Sequence, residues 1–164
     1  MDTPVTNIKL AGLGGMGVLS ASYVLAEAAY QAGYDVKKAE VHGMSQRGGS
    51  VASDIRFGKR VFSPMIPPGE VDFLIAVAPE WVDVHRWELR EEGRLLSPDD
   101  VPGLTNKRAL NVALLGALSR FLEISEAIWH SALVKGFPEK LHEPNLAAFQ
   151  LGRDSINLTP NLDL

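Results

Sequence analysis

The chain has 164 residues, of which 46% are hydrophobic and 22% charged, and its formal net charge is −4. This composition predicts one globular domain over residues 1–164 and argues against generic binding to nucleic acid or an anionic membrane. The sequence has no apolar run of the roughly 18 residues that a transmembrane helix needs, and no signal-peptide pattern at its N-terminus. We therefore expect a cytoplasmic protein that has neither nucleic acid nor membrane among its partners.

The absence of cysteine is the most informative feature of the composition. It excludes disulfides, a thiolate nucleophile, a Cys-based zinc site and a Cys-ligated iron–sulfur cluster within this chain. The histidines do not pair at i, i+4 spacing on a predicted helix, so we also expect no metal site. They are His42, His85, His130 and His142.

The first part of the chain is patterned as strand, helix, strand. Residues 7–13 predict a short apolar strand, apolar residues recur at helical spacing from Val18, and Gly33 ends that helix. A second strand is expected over residues 34–41. This order predicts a βαβ unit with a right-handed crossover and a parallel sheet.

The middle of the chain interrupts this simple alternation. Residues 50–57 alternate between two faces as a strand does, and Gly58-Lys59 predicts a two-residue hairpin turn into a returning strand at residues 60–62. Residues 71–78 predict a buried strand. Further expected elements are a helix from Pro79 to about Leu89 and a short strand at residues 94–96.

Three helices are expected in the C-terminal part of the chain. The first starts at Thr105 or Asn106, the second is capped by Ser125, and the third begins at Pro144 and ends before Gly152. Together the elements predict an α/β fold, a Rossmann-like three-layer domain with a mixed, mainly parallel sheet and a β-hairpin insertion.

A Gly-rich turn stands between the first strand and the first helix. Gly12, Gly14 and Gly17 form a G-x-G-x-x-G pattern that also contains Gly15, and helix N–H groups behind such a turn can face an anion. Glu40 lies at the end of the second strand, where a dinucleotide-binding domain carries an acidic residue. The motif alone leaves two interpretations open, a cofactor site and simple packing of helix against strand.

A polar loop follows the second strand, and core packing does not explain its composition. Arg47 offers a bidentate clamp for a carboxylate or phosphate, and the glycines allow backbone donors to approach the same ligand or a partner chain. An ordinary solvated loop is the alternative. The candidate substrate, coenzyme or interface residues are Glu40, His42, Gly43, Ser45, Gln46, Arg47, Gly48, Gly49 and Ser50.

The two motifs together resemble the gamma-type subunit of 2-oxoacid:ferredoxin oxidoreductases. They read Gly12-Leu-Gly-Gly-Met-Gly17 and Glu40-Val-His-Gly-Met-Ser-Gln-Arg-Gly-Gly-Ser50. Within that family the chain is most similar to the small subunit of indolepyruvate oxidoreductases and their aryl-oxoacid relatives. Residues 110–118 and 143–149 resemble the closing helices of the family, whereas the segment 97–109 is shorter than the insert that the family usually carries.

The resemblance implies a complex that decarboxylates a 2-oxoacid on thiamine diphosphate with Mg²⁺. Such a complex passes electrons through iron–sulfur clusters to ferredoxin or another acceptor and releases an acyl-CoA. Because this chain has no cysteine and no Gly-Asp-Gly segment of a thiamine-diphosphate metal site, we expect it to bind none of these cofactors alone. Its partners would be the thiamine-diphosphate-binding and iron–sulfur subunits. It would cover the cofactor cleft and help to position substrate or CoA, with no catalytic residue assigned and Arg47 as the first candidate for an anion contact.

Two other classes of protein remain open at this point. The Gly-rich turn and Glu40 also fit a stand-alone NAD- or FAD-dependent oxidoreductase. A purely structural interaction subunit is the third class, for example a homodimer through Trp81 and Trp87 on one face of their predicted helix.

Overall fold

In a computed structural model, which describes residues 4–43 and 49–158, the chain forms five strands and five α-helices. The strands are β1 (Thr6–Leu13), β2 (Asp35–His42), β3 (Ser50–Gly58), β4 (Val71–Ala76) and β5 (Leu89–Leu96). The helices are α1 (Val18–Gln31), α2 (Glu80–His85), α3 (Leu110–Ser119), α4 (Glu126–Gly136) and α5 (His142–Ser155). A bilayer-spanning helix is absent from these ranges, since none of their helices combines the required length with sufficient hydropathy.

The strands form one mixed sheet in the order β2-β3-β1-β4-β5. β3 is antiparallel to both β1 and β2, whereas the β1–β4 and β4–β5 pairs are parallel. Four strands therefore share one direction, and the predicted mixed, mainly parallel sheet is confirmed. β1 and β2 are parallel as a βαβ unit requires, but β3 lies between them, so the two strands do not pair directly.

The position of β3 also explains why the hairpin predicted at Gly58-Lys59 is wrong. β1 occupies one edge of β3 and β2 the other, so residues 60–62 have no free edge to pair with and do not form a strand. Side chains stabilise this segment instead. Asp35 accepts a hydrogen bond from the Val61 N–H (2.8 Å), and Arg56 donates to two main-chain carbonyls farther along. The hairpin of the sheet is formed by β2 and β3.

The main core lies between one face of the sheet and the helices α1, α3, α4 and α5. Its largest buried side chains include Trp129 and Phe149, whose ring centroids are 5.6 Å apart. The opposite face has a thinner cover, in which α2 and the segment containing Ile66 pack over Val71 and Leu74. Helices thus lie on both faces as predicted, but the two layers differ greatly in thickness.

Several predicted element boundaries are also wrong. α2 ends at His85, a 3₁₀ turn (Arg86–Glu88) follows, and β5 begins at Leu89 rather than at residue 94. Glu88 on this 3₁₀ turn forms an ion pair with Lys9 of the sheet (3.1 Å), a tertiary contact that no local pattern shows. At the other end of the chain, α5 continues through Gly152 to Ser155. Gly152 is therefore a packing contact of the helix and not its end.

A buried ionic cluster ties the thinner layer to the sheet. Lys9 on β1 lies opposite Asp54 on β3, and its Nζ is 2.7 Å from Asp54 Oδ1 and 3.1 Å from Glu88 Oε2. Glu88 also contacts His85 Nδ1 (2.7 Å), and Asp54 accepts the N–H of Ile66 (3.2 Å). Burial lowers the pKa of Lys9, but the hydrogen bonds and charges of the two carboxylates outweigh it, so the pKa is raised overall. The cluster holds α2, its 3₁₀ extension and the segment around Ile66 in place.

Candidate functional site

The Gly-rich turn and the base of the polar loop lie side by side at one end of the sheet. The N–H of Gly14 donates to the carbonyl of Gly49 (2.9 Å), and the N–H of Gly43 donates to the carbonyl of Ser50 (2.7 Å). β3 carries the loop back next to β1, which is why two motifs that are far apart in sequence become neighbours. The structure thus joins the two motifs that the sequence analysis selected.

Gly17 forms the junction between the Gly-rich turn and α1. Its φ of 78° lies in the left-handed region that L-residues rarely adopt, so glycine is required at the N-cap of this helix. The Asn111 side chain on α3 donates to the Gly17 carbonyl (2.8 Å), fixing the turn against the start of α3. The first turn of α1 has neither an acidic residue nor a side-chain cap among the described residues. Its N–H groups are therefore free to face an anion.

A cleft of about 850 Å³ opens beside this helix start. Three of its lining residues, Lys107, Arg108 and Lys140, are cationic, and no acidic residue lines it in the described parts of the chain. These three side chains form no ion pair with another described residue. The complete lining is Gly15, Met16, Gly17, Ser20, Val77, Asn106, Lys107, Arg108, Ala109, Leu110, Asn111, Phe137, Lys140, Leu141, Pro144 and Asn145. The cleft therefore has a net positive lining suited to an anionic ligand.

Asn145 places an unpaired donor in the wall of the cleft. The residue is 7% exposed, and its Nδ2 has no hydrogen-bond partner within residues 4–43 and 49–158. A buried amide donor without a partner costs about 1–3 kcal/mol, so such groups in folded proteins usually have a ligand or an ordered water. Asn145 and the three cations line a cleft whose net positive charge suits a polar anionic group.

The candidate residues of the polar loop divide into two groups. Glu40 and His42 are on β2, where the Glu40 carboxylate contacts Lys38 Nζ (2.7 Å) and His42 Nε2 (3.8 Å). The hydrogen bond from Lys38 is the main cause of a lowered pKa of Glu40. Gly43, Gly49 and Ser50 form the base of the loop. The predictions for Ser45, Gln46, Arg47 and Gly48 fall outside the described residues.

The interpretation of Glu40 as the acidic residue of a dinucleotide-binding domain is wrong. It required the second strand to lie directly beside β1, so that the acid at its end could reach a ribose next to the Gly-rich turn. β3 occupies that position instead, and the Glu40 carboxylate is engaged by Lys38. We still predict that the Gly-rich turn binds a ligand through Gly12, Gly14, Gly15 and Gly17. That ligand is not a dinucleotide such as NAD.

The cleft residues outside the two motifs were not found from the sequence. Lys107, Arg108 and Lys140 lie on 3₁₀ turns, and Asn145 lies on α5. Their separation along the chain leaves no local pattern, and only the approach of α3 and α5 to the Gly-rich turn brings them together. In the same described residues no group of three or more His, Asp or Glu side chains is arranged to hold a metal ion.

Comparisons with known proteins agree with this architecture. The family described as pyruvate ferredoxin/flavodoxin oxidoreductase matches residues 7–104. The indolepyruvate oxidoreductase subunit IorB of Thermococcus kodakarensis is 48% identical over 73 residues, which cover 44% of this chain and 36% of that protein. The keto/oxoacid ferredoxin oxidoreductase gamma subunit from Geobacter sulfurreducens superposes with a TM-score of 0.75 at 22% identity, covering 92% of this chain and 97% of that one.

A second solved structure shares the fold at a comparable TM-score and sequence identity. It is the 2-oxoglutarate:ferredoxin oxidoreductase from Magnetococcus marinus with 2-oxoglutarate, coenzyme A and succinyl-CoA bound. The TM-score is 0.74 at 21% identity, and the superposition covers 92% of this chain and 31% of that chain. In that protein the shared fold is therefore one part of a longer polypeptide.

The fold is that of a gamma subunit of a keto/oxoacid ferredoxin oxidoreductase. The chain belongs to the pyruvate ferredoxin/flavodoxin oxidoreductase family, whose match covers more than half of it. The segment matched in the Thermococcus kodakarensis relative spans only 36% of that protein.

Proposed function

We propose that this chain is the small subunit of a 2-oxoacid:acceptor oxidoreductase that acts on an aryl 2-oxoacid of the indolepyruvate type. The complex would convert the 2-oxoacid, CoA and an oxidised acceptor to an acyl-CoA, CO₂ and the reduced acceptor. The 48% identity to an indolepyruvate oxidoreductase subunit supports the substrate class. Since the chain has no cysteine for cluster ligation, the iron–sulfur clusters and thiamine diphosphate are assigned to partner subunits.

We assign the basic cleft to the phosphate groups of CoA. The observation that carries this assignment is the cleft beside the N-terminus of α1, which is lined by Asn145 and by three cations that form no ion pair within the described residues. CoA carries a diphosphate and a 3′-phosphate, and helix N-termini and cationic side chains are the usual protein donors to such groups. The relative from Magnetococcus marinus binds coenzyme A in its structure, which supports the same ligand class here.

Replacing Lys107 and Arg108 together with alanine should raise the KM for CoA of the assembled enzyme. A hydrogen bond to a charged group contributes about 1.5–3 kcal/mol, so the loss of even one phosphate contact predicts an increase of roughly tenfold to a hundredfold. The KM for the 2-oxoacid should remain close to wild type. Steady-state kinetics of the complex, with CoA and 2-oxoacid varied separately, measures both values.

The sequence offers a matched control in a second Lys-Arg pair. Lys59 and Arg60 are exposed and do not line the cleft, so their double alanine variant should leave the KM for CoA unchanged. The KM for CoA could also stay unchanged in the Lys107→Ala, Arg108→Ala variant while the complex assembles normally. This result would contradict the assignment of the cleft to the CoA phosphates. It would leave the assignment to the enzyme family untouched.

The polar loop is proposed to contact the partner subunits near the 2-oxoacid. Arg47→Ala should weaken assembly or raise the KM for the 2-oxoacid or CoA by about tenfold or more, since one charge-assisted hydrogen bond is lost. Arg86→Ala, an exposed arginine on a different part of the surface, is the control. If assembly and both KM values of Arg47→Ala stay within about twofold of wild type, Arg47 has no such role.

A further inference from the structure

β2 is an open edge of the sheet. All eight of its residues pair in continuous register with β3 on one side, and no described strand pairs with the other side. Lys38 and residues 40–42 are exposed, and Val41 is 55% exposed in spite of its apolar side chain. β5, the strand at the opposite end of the sheet, has a register shift in its pairing with β4. Bulges of this kind protect sheet edges from further pairing, and β2 has none.

The sequence of β2 is complementary to itself around Ala39. An antiparallel copy related by a two-fold axis perpendicular to the sheet places residues equidistant from the axis opposite each other on the same face. With the axis at Ala39, Lys38 lies opposite Glu40 of the second copy, and Lys37 lies opposite Val41 of the second copy. An axis at Lys38 or at Glu40 would instead place two like charges against each other. Opposite charges in directly facing positions stabilise a strand pair, and like charges destabilise it.

An aromatic groove lies along the same edge on the helix side. Its volume is about 250 Å³, and Tyr23 and Tyr30 of α1 line it together with Val36 and Lys38 of β2. Both tyrosines are exposed, Tyr30 by 69%. The same two-fold axis would bring the α1 helices of both copies to this side of the joined sheet. Tyrosine is enriched in the contact regions of protein interfaces, where its ring packs and its hydroxyl stays hydrated.

We propose that a second copy of this chain pairs with it through β2, antiparallel and with Ala39 at the two-fold axis. The two sheets then form one continuous sheet, in which the Lys38–Glu40 pair within each β2 (2.7 Å) faces the same pair of the second copy with opposite charges opposed, and the tyrosine grooves adjoin. This interface does not rest on the proposed enzymatic function. None of the residues that line the basic cleft lies on β2.

The absence of cysteine allows a direct test by single-cysteine cross-linking of the full chain. Ala39→Cys should form a disulfide-linked dimer under mild oxidation, because facing residues of antiparallel strands have Cα atoms about 4.5–5.5 Å apart, within disulfide range. Val41→Cys is the control on the same face of the same strand. Its two copies would lie about 13 Å apart along the strands, beyond the limit of about 7 Å. Equal cross-linking of both variants, or none of Ala39→Cys, overturns the proposal.

Charge reversal tests the same interface without oxidation. Lys38→Glu should raise the dimer dissociation constant by about tenfold or more, since both cross-strand pairs become repulsive. Adding Glu40→Lys to that variant should restore the affinity of wild type. Sedimentation equilibrium over a dilution series measures all three proteins. A wild-type chain that is monomeric throughout, or a double variant no better than Lys38→Glu alone, contradicts the proposed pairing.

Discussion

Lys9→Met should strongly lower the thermal stability of the domain. The substitution keeps the length of the side chain but leaves two buried carboxylates, Asp54 and Glu88, without their shared cation. Breaking one partner of a buried ion pair costs about 3–5 kcal/mol. For a domain of this size, that corresponds to a decrease in Tm of roughly 6–20 °C in thermal unfolding followed by circular dichroism.

The pH dependence of this effect follows from the raised pKa of Lys9. A group whose folded pKa exceeds its unfolded pKa stabilises the fold fully below the unfolded pKa and loses this contribution as pH rises through the folded pKa. The difference between wild type and Lys9→Met should therefore persist at neutral pH and shrink on the alkaline side as pH rises above about 10.4. Lys37→Met, which removes a largely exposed ion pair with Asp35 on the same face, should leave Tm almost unchanged. Equal Tm values for Lys9→Met and wild type would show that the cluster does not hold the thinner layer.

Gly152→Ala should also destabilise the fold, although alanine is the better helix former. α3 and α5 cross closely where Gly116 and Gly152 each face the backbone of the other helix, and a methyl group at Gly152 would overlap the main-chain carbonyl of Ala113. Since backbone atoms cannot rotate away, the steric cost belongs at the upper end of the overpacking range, about 3 kcal/mol. The gain in helix propensity offsets about 1 kcal/mol of this, which leaves a net loss of about 2 kcal/mol. Urea denaturation with the linear extrapolation measures it.

Gly103→Ala provides the matched comparison for that substitution. Its added methyl group would come no nearer than 3.9 Å to a neighbouring side chain, so its free energy of unfolding should equal that of wild type. A Gly152→Ala protein as stable as Gly103→Ala would mean that the two helices can separate without cost. The effect also bears on function, because α3 and α5 carry Asn111 and Asn145 into the cleft wall.

The sequence correctly predicted the strands and helices whose signals lie within a few neighbouring residues. The apolar run of β1, the helical spacing of α1 and the alternation in β3 were interpreted correctly. The Ser125 cap is also confirmed, since its hydroxyl accepts the N–H of Ile128. Each of these signals depends on residues within a few positions of one another, so no knowledge of the tertiary fold was needed.

The errors come from contacts between distant residues. The sequence shows that β3 is a strand, but only the assembled sheet shows that β3 inserts between β1 and β2. That insertion removes the hairpin predicted at Gly58-Lys59 and moves Glu40 away from the Gly-rich turn. Glu88 just after α2 and Gly152 within α5 likewise contact partners in other elements, Lys9 and Ala113.

The candidate site was predicted only in part, because some of its residues come together only in the tertiary fold. The two motifs were selected from the sequence, and the Gly14–Gly49 hydrogen bond shows that they adjoin. The cations and the buried Asn145 of the cleft lie on separate elements that meet only in the fold. The segment 97–109 provides part of the cleft wall through its last residues, which the resemblance to the family did not indicate.

We propose that this chain acts only as one subunit of a larger oxidoreductase. The most direct measurement is CoA-dependent reduction of ferredoxin with an aryl 2-oxoacid under anaerobic conditions, using the chain alone, the complete complex and the complex depleted of this chain. We expect activity in the complete complex, its loss on depletion and its return when the purified chain is added back. Turnover by the purified chain alone, or full activity of the depleted complex, would contradict the claim.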